Sequence, residues 1–105
     1  MINFQATVHL RENKQARFFE LMPQLAELAA KDINFRLVAA YIPITGLQNT
    51  YINIWQAPDA NAVANLPNEI AKHPELATLF GEVKACIAEE TYALLVPAPY
   101  VKQRD

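Results

Sequence analysis

The chain has 105 residues, which is the size of one domain and too short for two conventional cores. Nine Lys and Arg residues stand against eleven Asp and Glu residues, giving a formal net charge of -2 and no basic stripe to neutralise phosphates. Nucleic-acid binding is therefore not expected. The sequence contains no serine and only 2 glycines, which excludes a serine nucleophile and a glycine-rich phosphate loop.

The sequence also shows no targeting signal and no metal-binding motif. No apolar run approaches the ~20 residues that span a bilayer, and residues 1–5 do not resemble a secretion signal, so we expect no membrane association and a cytoplasmic location. The residues His9, His73 and Cys86 have no short metal-ligand spacing. We expect neither a metal nor a cofactor, and haem with His9 as its axial ligand is the alternative.

The chain begins with a strand followed by a helix. Alternating apolar residues over residues 2–10 predict a strand with one apolar face, and Thr7 and His9 lie on the other face. Apolar residues at steps of three and four then predict a helix from about 13 to 31. Inside this helix, Pro23 removes one backbone hydrogen bond, and we expect it to kink the helix or to separate its first turns.

The rest of the chain contains three more apolar stretches of strand type, and prolines interrupt the helical region between them. We predict strands over residues 35–42, 49–56 and 91–96, with helical pieces near 59–72 and 74–89. The element order is then β-α-β-β-α-β, which defines an α+β, ferredoxin-like sandwich with a four-stranded antiparallel sheet and helices on one face. We expect a single domain over residues 1–100, a tail at 101–105, and a second copy covering the bare sheet face.

Three stretches resemble the NIPSNAP family of the dimeric α/β-barrel superfamily. They run from Leu37-Val38-Ala39-Ala40 to Asn53-Ile54-Trp55, from His73-Pro74-Glu75-Leu76 to Phe80, and from Glu90-Thr91-Tyr92 to Pro97-Ala98-Pro99-Tyr100. This chain has Asn53 where the family usually has histidine. The resemblance implies a homodimer in which two sheets face each other. Related barrels include cofactor-free monooxygenases, haem-handling proteins and members without catalysis.

Polar and aromatic side chains on the first and third strands form the candidate site. We expect both groups to point the same way, with His9 accepting a proton and Asn53 orienting a carbonyl as catalytic residues. Aromatic rings suit stacking on a planar ligand. The remaining candidate ligand-binding residues are Thr7, Tyr41, Tyr51 and Trp55.

Two functional interpretations remain open. The first is a homodimer with a small-molecule cavity that carries out cofactor-independent, oxygenase-like chemistry on a small aromatic or polyketide-like compound. The second is a non-catalytic interaction or ligand-sensing protein. The same polar and aromatic residues also suit packing in a dimer interface, where aromatic side chains are enriched and which is the commoner use of such residues.

Overall fold

The computed structural model describes residues 1–46 and 48–101, so most of the predicted tail lies outside the described residues. The strand order in the sheet is β2-β3-β1-β4, and every neighbouring pair is antiparallel. This arrangement confirms the predicted α+β fold. The elements, in chain order, are β1 (Ile2–Leu10), α1 (Gln15–Ile33), β2 (Arg36–Tyr41), β3 (Thr50–Ala57), α2 (Ala60–Ala64), α3 (Leu66–Ala71), α4 (Pro74–Ala85) and β4 (Ile87–Leu95).

The longest helix, α1, covers the sheet with an apolar stripe. Its buried residues are Phe18, Leu21, Leu25 and Ala29, and their spacing of three and four residues places them on one face. Asn34 ends the helix in the left-handed conformation, and its N–H donates to the carbonyl of Ala29. The helix is continuous through its internal proline, so its first turns are not separated.

The second helical region breaks where prolines predict a break and is shorter than expected. Asp59 caps α2 by accepting a 2.8 Å hydrogen bond from the N–H of Ala62. Pro74 occupies the first turn of α4, where its missing N–H costs nothing. The last strand starts at Ile87 instead of residue 91, because residues 87–90 pair with β1. Pairing with a neighbouring strand decides the conformation of such a segment more than its local pattern does.

The register of β1 against β3 sorts the candidate residues onto two faces. Residues directly opposite one another share a face, and the structure pairs Phe4 with Trp55, Ala6 with Asn53 and Val8 with Tyr51. Tyr51, Asn53 and Trp55 therefore lie under the helices, among the buried residues of the core. Thr7 and His9 lie on the face of the sheet that no helix covers, called the bare face below, where they pair with Ile52 and Thr50. The expectation that both groups share one face was wrong, because the aromatic residues of β3, and not its isoleucines, belong to the core.

The bare face of the sheet carries polar and aliphatic side chains. His9 lies 3.2 Å from the Thr50 hydroxyl, and Ile52 and Ile54 are only half-buried. The molecule measures 41 × 38 × 19 Å, which fits one sheet layer and one helix layer. Among residues 1–46 and 48–101, no helix is long and apolar enough to cross a membrane.

Replacing the proline inside α1 is expected to stabilise the protein. Pro23→Ala supplies an N–H for the backbone bond that proline removes, and we expect the free energy of unfolding to rise by about 1–2 kcal/mol. Denaturant unfolding monitored by circular dichroism measures this change. Pro74→Ala is the matched control and should change stability by less than about 0.5 kcal/mol, because its position needs no donor. Destabilisation by Pro23→Ala would contradict the argument.

Candidate functional site

A cavity of about 60 Å³ lies between the sheet and the helices. Its floor comes from β1, β3 and β4, and its roof comes from α1, α3 and α4. Most of the lining is apolar, including Phe4, Ala6 and Trp55. The exceptions are four side chains that carry polar groups: Asn53, Lys84, Glu90 and Tyr92.

A second space, a groove of about 320 Å³, lies beside the first along α1, β2 and β3. Phe18, Phe19 and Tyr51 form aromatic parts of its wall. Met22 and Asn53 line both the cavity and the groove. A flexible methionine and a carboxamide thus separate the two spaces, and the groove reaches the size of a small-molecule pocket.

Asn53 is the distinctive polar group of the core. It is 5% exposed, and no other polar or charged residue within the described ranges is as deeply buried. No hydrogen bond joins its carboxamide to any residue in the described part of the chain, and its polar atoms keep access to the spaces that it lines. A carboxamide offers two donors and an acceptor, and at this position no described protein group uses them. The position is therefore suited to a ligand that supplies the missing partner.

Aromatic rings stand on both sides of this carboxamide. On the cavity side, Phe4 stacks on Trp55 with ring centroids 6.5 Å apart and an interplanar angle of 12°. On the groove side, Phe19 meets Tyr51 edge-on at 5.5 Å. The Tyr51 hydroxyl accepts a 2.5 Å hydrogen bond from Gln15, which ties the start of α1 to β3. The site thus combines one unpaired amide with walls that favour planar groups.

A charged pair borders the cavity on the β4 side. Lys84 donates a 2.8 Å hydrogen bond to Oε1 of Glu90, whose side chain is 13% exposed. Burial and the neighbouring Glu90 carboxylate raise the pKa of Tyr92 above its usual range, so this phenol stays protonated. The sequence pattern predicted a helix to about residue 89 and a last strand from residue 91, so Glu90 was not assigned to the sheet. The signal was the alternation of Glu90, Tyr92 and Leu94 along a strand.

The other candidate residues lie away from the cavity. Thr7 and His9 are on the bare face, and neither lines the cavity or the groove. Tyr41 lies at the rim of the groove and is 61% exposed. The structure therefore brings together Tyr51, Asn53 and Trp55 but does not bring His9 to them. Within residues 1–46 and 48–101, no group of three or more His, Cys, Asp or Glu side chains is placed to hold a metal ion.

The comparisons assign the family. The NIPSNAP family model matches residues 6–102, and the chain belongs to this family. No curated protein sequence matches it. A NIPSNAP domain protein from Burkholderia xenovorans is 16% identical, covers 98% of this chain and 100% of its own, and has a TM-score of 0.78. A NIPSNAP family protein from Agrobacterium tumefaciens is 14% identical, with 98% of both chains covered and a TM-score of 0.81.

One further solved structure is similar to this chain in fold. SnoaB, a cofactor-independent oxygenase from Streptomyces nogalater, is 16% identical, with 91% of both chains covered and a TM-score of 0.63. At this identity the likeness concerns the fold, and fold alone does not assign an activity.

Removing the unpaired carboxamide is expected to stabilise the free protein. Asn53→Leu replaces an amide that lies in the core without a hydrogen-bond partner among the described residues by an apolar side chain of similar size, and the free energy of unfolding should rise by about 1 kcal/mol. The matched control is Asn3→Leu at an exposed position of β1, which should leave stability nearly unchanged. Denaturant midpoints of both variants measure the difference. A loss of stability in Asn53→Leu would indicate that the carboxamide is satisfied in the folded protein.

Proposed function

We propose that this NIPSNAP-family chain is a homodimeric small-molecule-binding protein whose ligand is a planar aromatic compound with a carbonyl group. The observation that carries this proposal is the buried, unpaired carboxamide of Asn53. An amide N–H donates to a ligand carbonyl and so recovers the hydrogen bond that the folded protein lacks. A ligand without an acceptor cannot form this bond.

The lining of the two spaces supports an aromatic ligand. Phe4 and Trp55 line the cavity, and Phe18 and Tyr51 line the groove, so aromatic rings border both spaces at which Asn53 lies. The cavity and the groove adjoin at Asn53 and Met22, and Met22 adapts readily because its side chain is unbranched. Aromatic stacking then fixes the plane of the ligand, while the carboxamide fixes its direction.

The proposed homodimer rests on the bare face of the sheet. Ile52 and Ile54 lie in its centre, flanked by Gln5 and Thr7, and a second copy of this face is the economical cover. The cavity lies on the opposite face of the sheet. Each subunit therefore holds a complete cavity of its own, and the helices stay on the outside of the assembly.

Cofactor-independent oxygenation is the chemistry we propose for this site, and the likeness of the fold to SnoaB supports it. In such a reaction a ring methylene next to a carbonyl loses two hydrogens and gains one atom of O₂ as a new carbonyl, while the other oxygen atom leaves as water. The substrate supplies all the electrons. Asn53 would orient the carbonyl and stabilise negative charge on its oxygen as the methylene is deprotonated, and both methylene hydrogens end in the water that carries away the second oxygen atom.

Ligand sensing without turnover is the alternative function. The position of His9 favours it, because the histidine expected to act as a base lies on the other face of the sheet. A protein that retains an unchanged ligand in the presence of O₂ fits sensing. A retained ligand that loses two hydrogens and gains one oxygen atom fits oxygenation.

Selectivity for a carbonyl tests the proposed ligand class. Para-methylacetophenone and para-cymene differ only in an acetyl against an isopropyl group, and we expect the ketone to bind at least about tenfold more tightly. Trp55 lines the cavity and is the chain's one tryptophan, so its fluorescence reports binding, with calorimetry as the independent measurement. Asn53→Leu should remove the preference, and Asn3→Leu should keep it. Equal affinity of the wild-type protein for both compounds would contradict the proposal.

The mass of the intact assembly tests the homodimer. We expect a native mass spectrum of the protein purified without added ligand to give twice the chain mass, because apolar residues on the bare face need a cover. Ile54→Lys places a charge in the centre of that face and should give monomers, whereas Glu89→Lys near its edge should give a dimer. A monomeric wild-type protein at micromolar concentration would overturn this part of the proposal.

A further inference from the structure

The helix-covered face of the sheet holds a row of three residues with a small one in the middle. Ala6 on β1 pairs with Asn53 on β3 and with Tyr92 on β4. The next row joins Tyr51, Val8 and Glu90 in the same way. Neighbouring strands lie about 4.8 Å apart, so Asn53 and the β4 residues stand ~10 Å apart across the cavity floor. Ala6, which lies between them and carries only a methyl group, also lines the cavity.

Glu90 has unused hydrogen-bonding capacity at the cavity. Lys84 donates to its Oε1 atom, and the Tyr92 hydroxyl also hydrogen-bonds to the carboxylate, so two of its acceptor sites are used. An ionised carboxylate accepts at both oxygens, with about four lone-pair sites in all. The Lys84 ammonium offsets part of the cost of desolvating this carboxylate. This side of the cavity therefore favours a hydrogen-bond donor on a ligand.

We propose that Glu90 accepts a hydrogen bond from an aryl hydroxyl group of the ligand, so that the ligand class is a hydroxyaryl ketone. This inference rests on the proposed function, because it assumes that Asn53 holds the carbonyl. Asn53 and Glu90 then form hydrogen bonds with opposite ends of one ligand, whose aromatic ring lies over Ala6. Lys84 acts as a positioning residue that holds the carboxylate at the cavity wall.

The test compares a hydroxyl with a methyl group of nearly the same size. Para-hydroxyacetophenone should bind the wild-type dimer at least about tenfold more tightly than para-methylacetophenone, because a charge-assisted hydrogen bond exceeds the gain from burying a methyl group. In Glu90→Gln, which keeps the shape but removes the charge, this preference should fall to about twofold or less. Affinity for para-methylacetophenone should stay within about twofold of wild type, since that compound makes no bond to Glu90.

Glu89→Gln is the matched control. Its side chain is exposed and belongs to the bare face, opposite His9, so the hydroxyl preference should be unchanged. Thermal unfolding of both variants verifies that they are folded. The comparison of the two ketones on the wild-type protein needs no variant and remains decisive if Glu90→Gln does not fold.

The outcomes separate this inference from the proposed function. If the wild-type protein binds both ketones equally but still prefers para-methylacetophenone to para-cymene, the role of Glu90 is wrong and the carbonyl site stands. If Glu90→Gln keeps the full hydroxyl preference, the acceptor is another group and the inference is overturned. If neither ketone binds, the proposed function fails and the inference fails with it.

Discussion

The antiparallel register of β1 against β3 and β4 determines which side chains the helices cover. Phe4, Ala6 and Val8 belong to the buried core, so every residue paired with them faces the helix layer. The pairing brings in a carboxamide from β3 and a carboxylate from β4. A shift of one residue would exchange all of these groups for those of the bare face. Both the core and the candidate site therefore depend on the same backbone pairing.

One residue of the core around this pairing is less favourable there without a ligand than an apolar residue would be. Fully buried side chains such as Leu21 and Leu76 stabilise the contact between the helices and the sheet. Asn53 lies in the same layer without a hydrogen bond from the described residues, and an amide in an apolar layer is less favourable than an apolar side chain of the same size. Natural proteins tolerate such costs mainly at functional positions. Asn53, the polar exception in this core, is thus more informative about function than the apolar residues around it.

Much of the fold could be predicted from the sequence, but the composition of the site could be predicted only in part. Period-two alternation gave β1 its correct bounds, and the prolines marked the break before α4. In β3, both sets of alternate residues are rich in large apolar groups, so the pattern does not indicate which set is buried. Only pairing with β1 decides this, and pairing is a long-range property. Glu90 was missed because its neighbours fit a helical pattern as well as a strand.

The alternation of β3 also separates assembly from ligand recognition. Its odd-numbered residues Tyr51, Asn53 and Trp55 face the helices, while Ile52 and Ile54 face the opposite way. Substitutions on one face therefore leave the chemistry of the other face intact, although both share a backbone. A second copy on the bare face, as proposed, would shield the hydrogen-bonded floor of the cavity from solvent without adding a residue to its lining. A rigid floor favours selective binding, because two hydrogen-bonding groups select a ligand only if the distance between them is fixed.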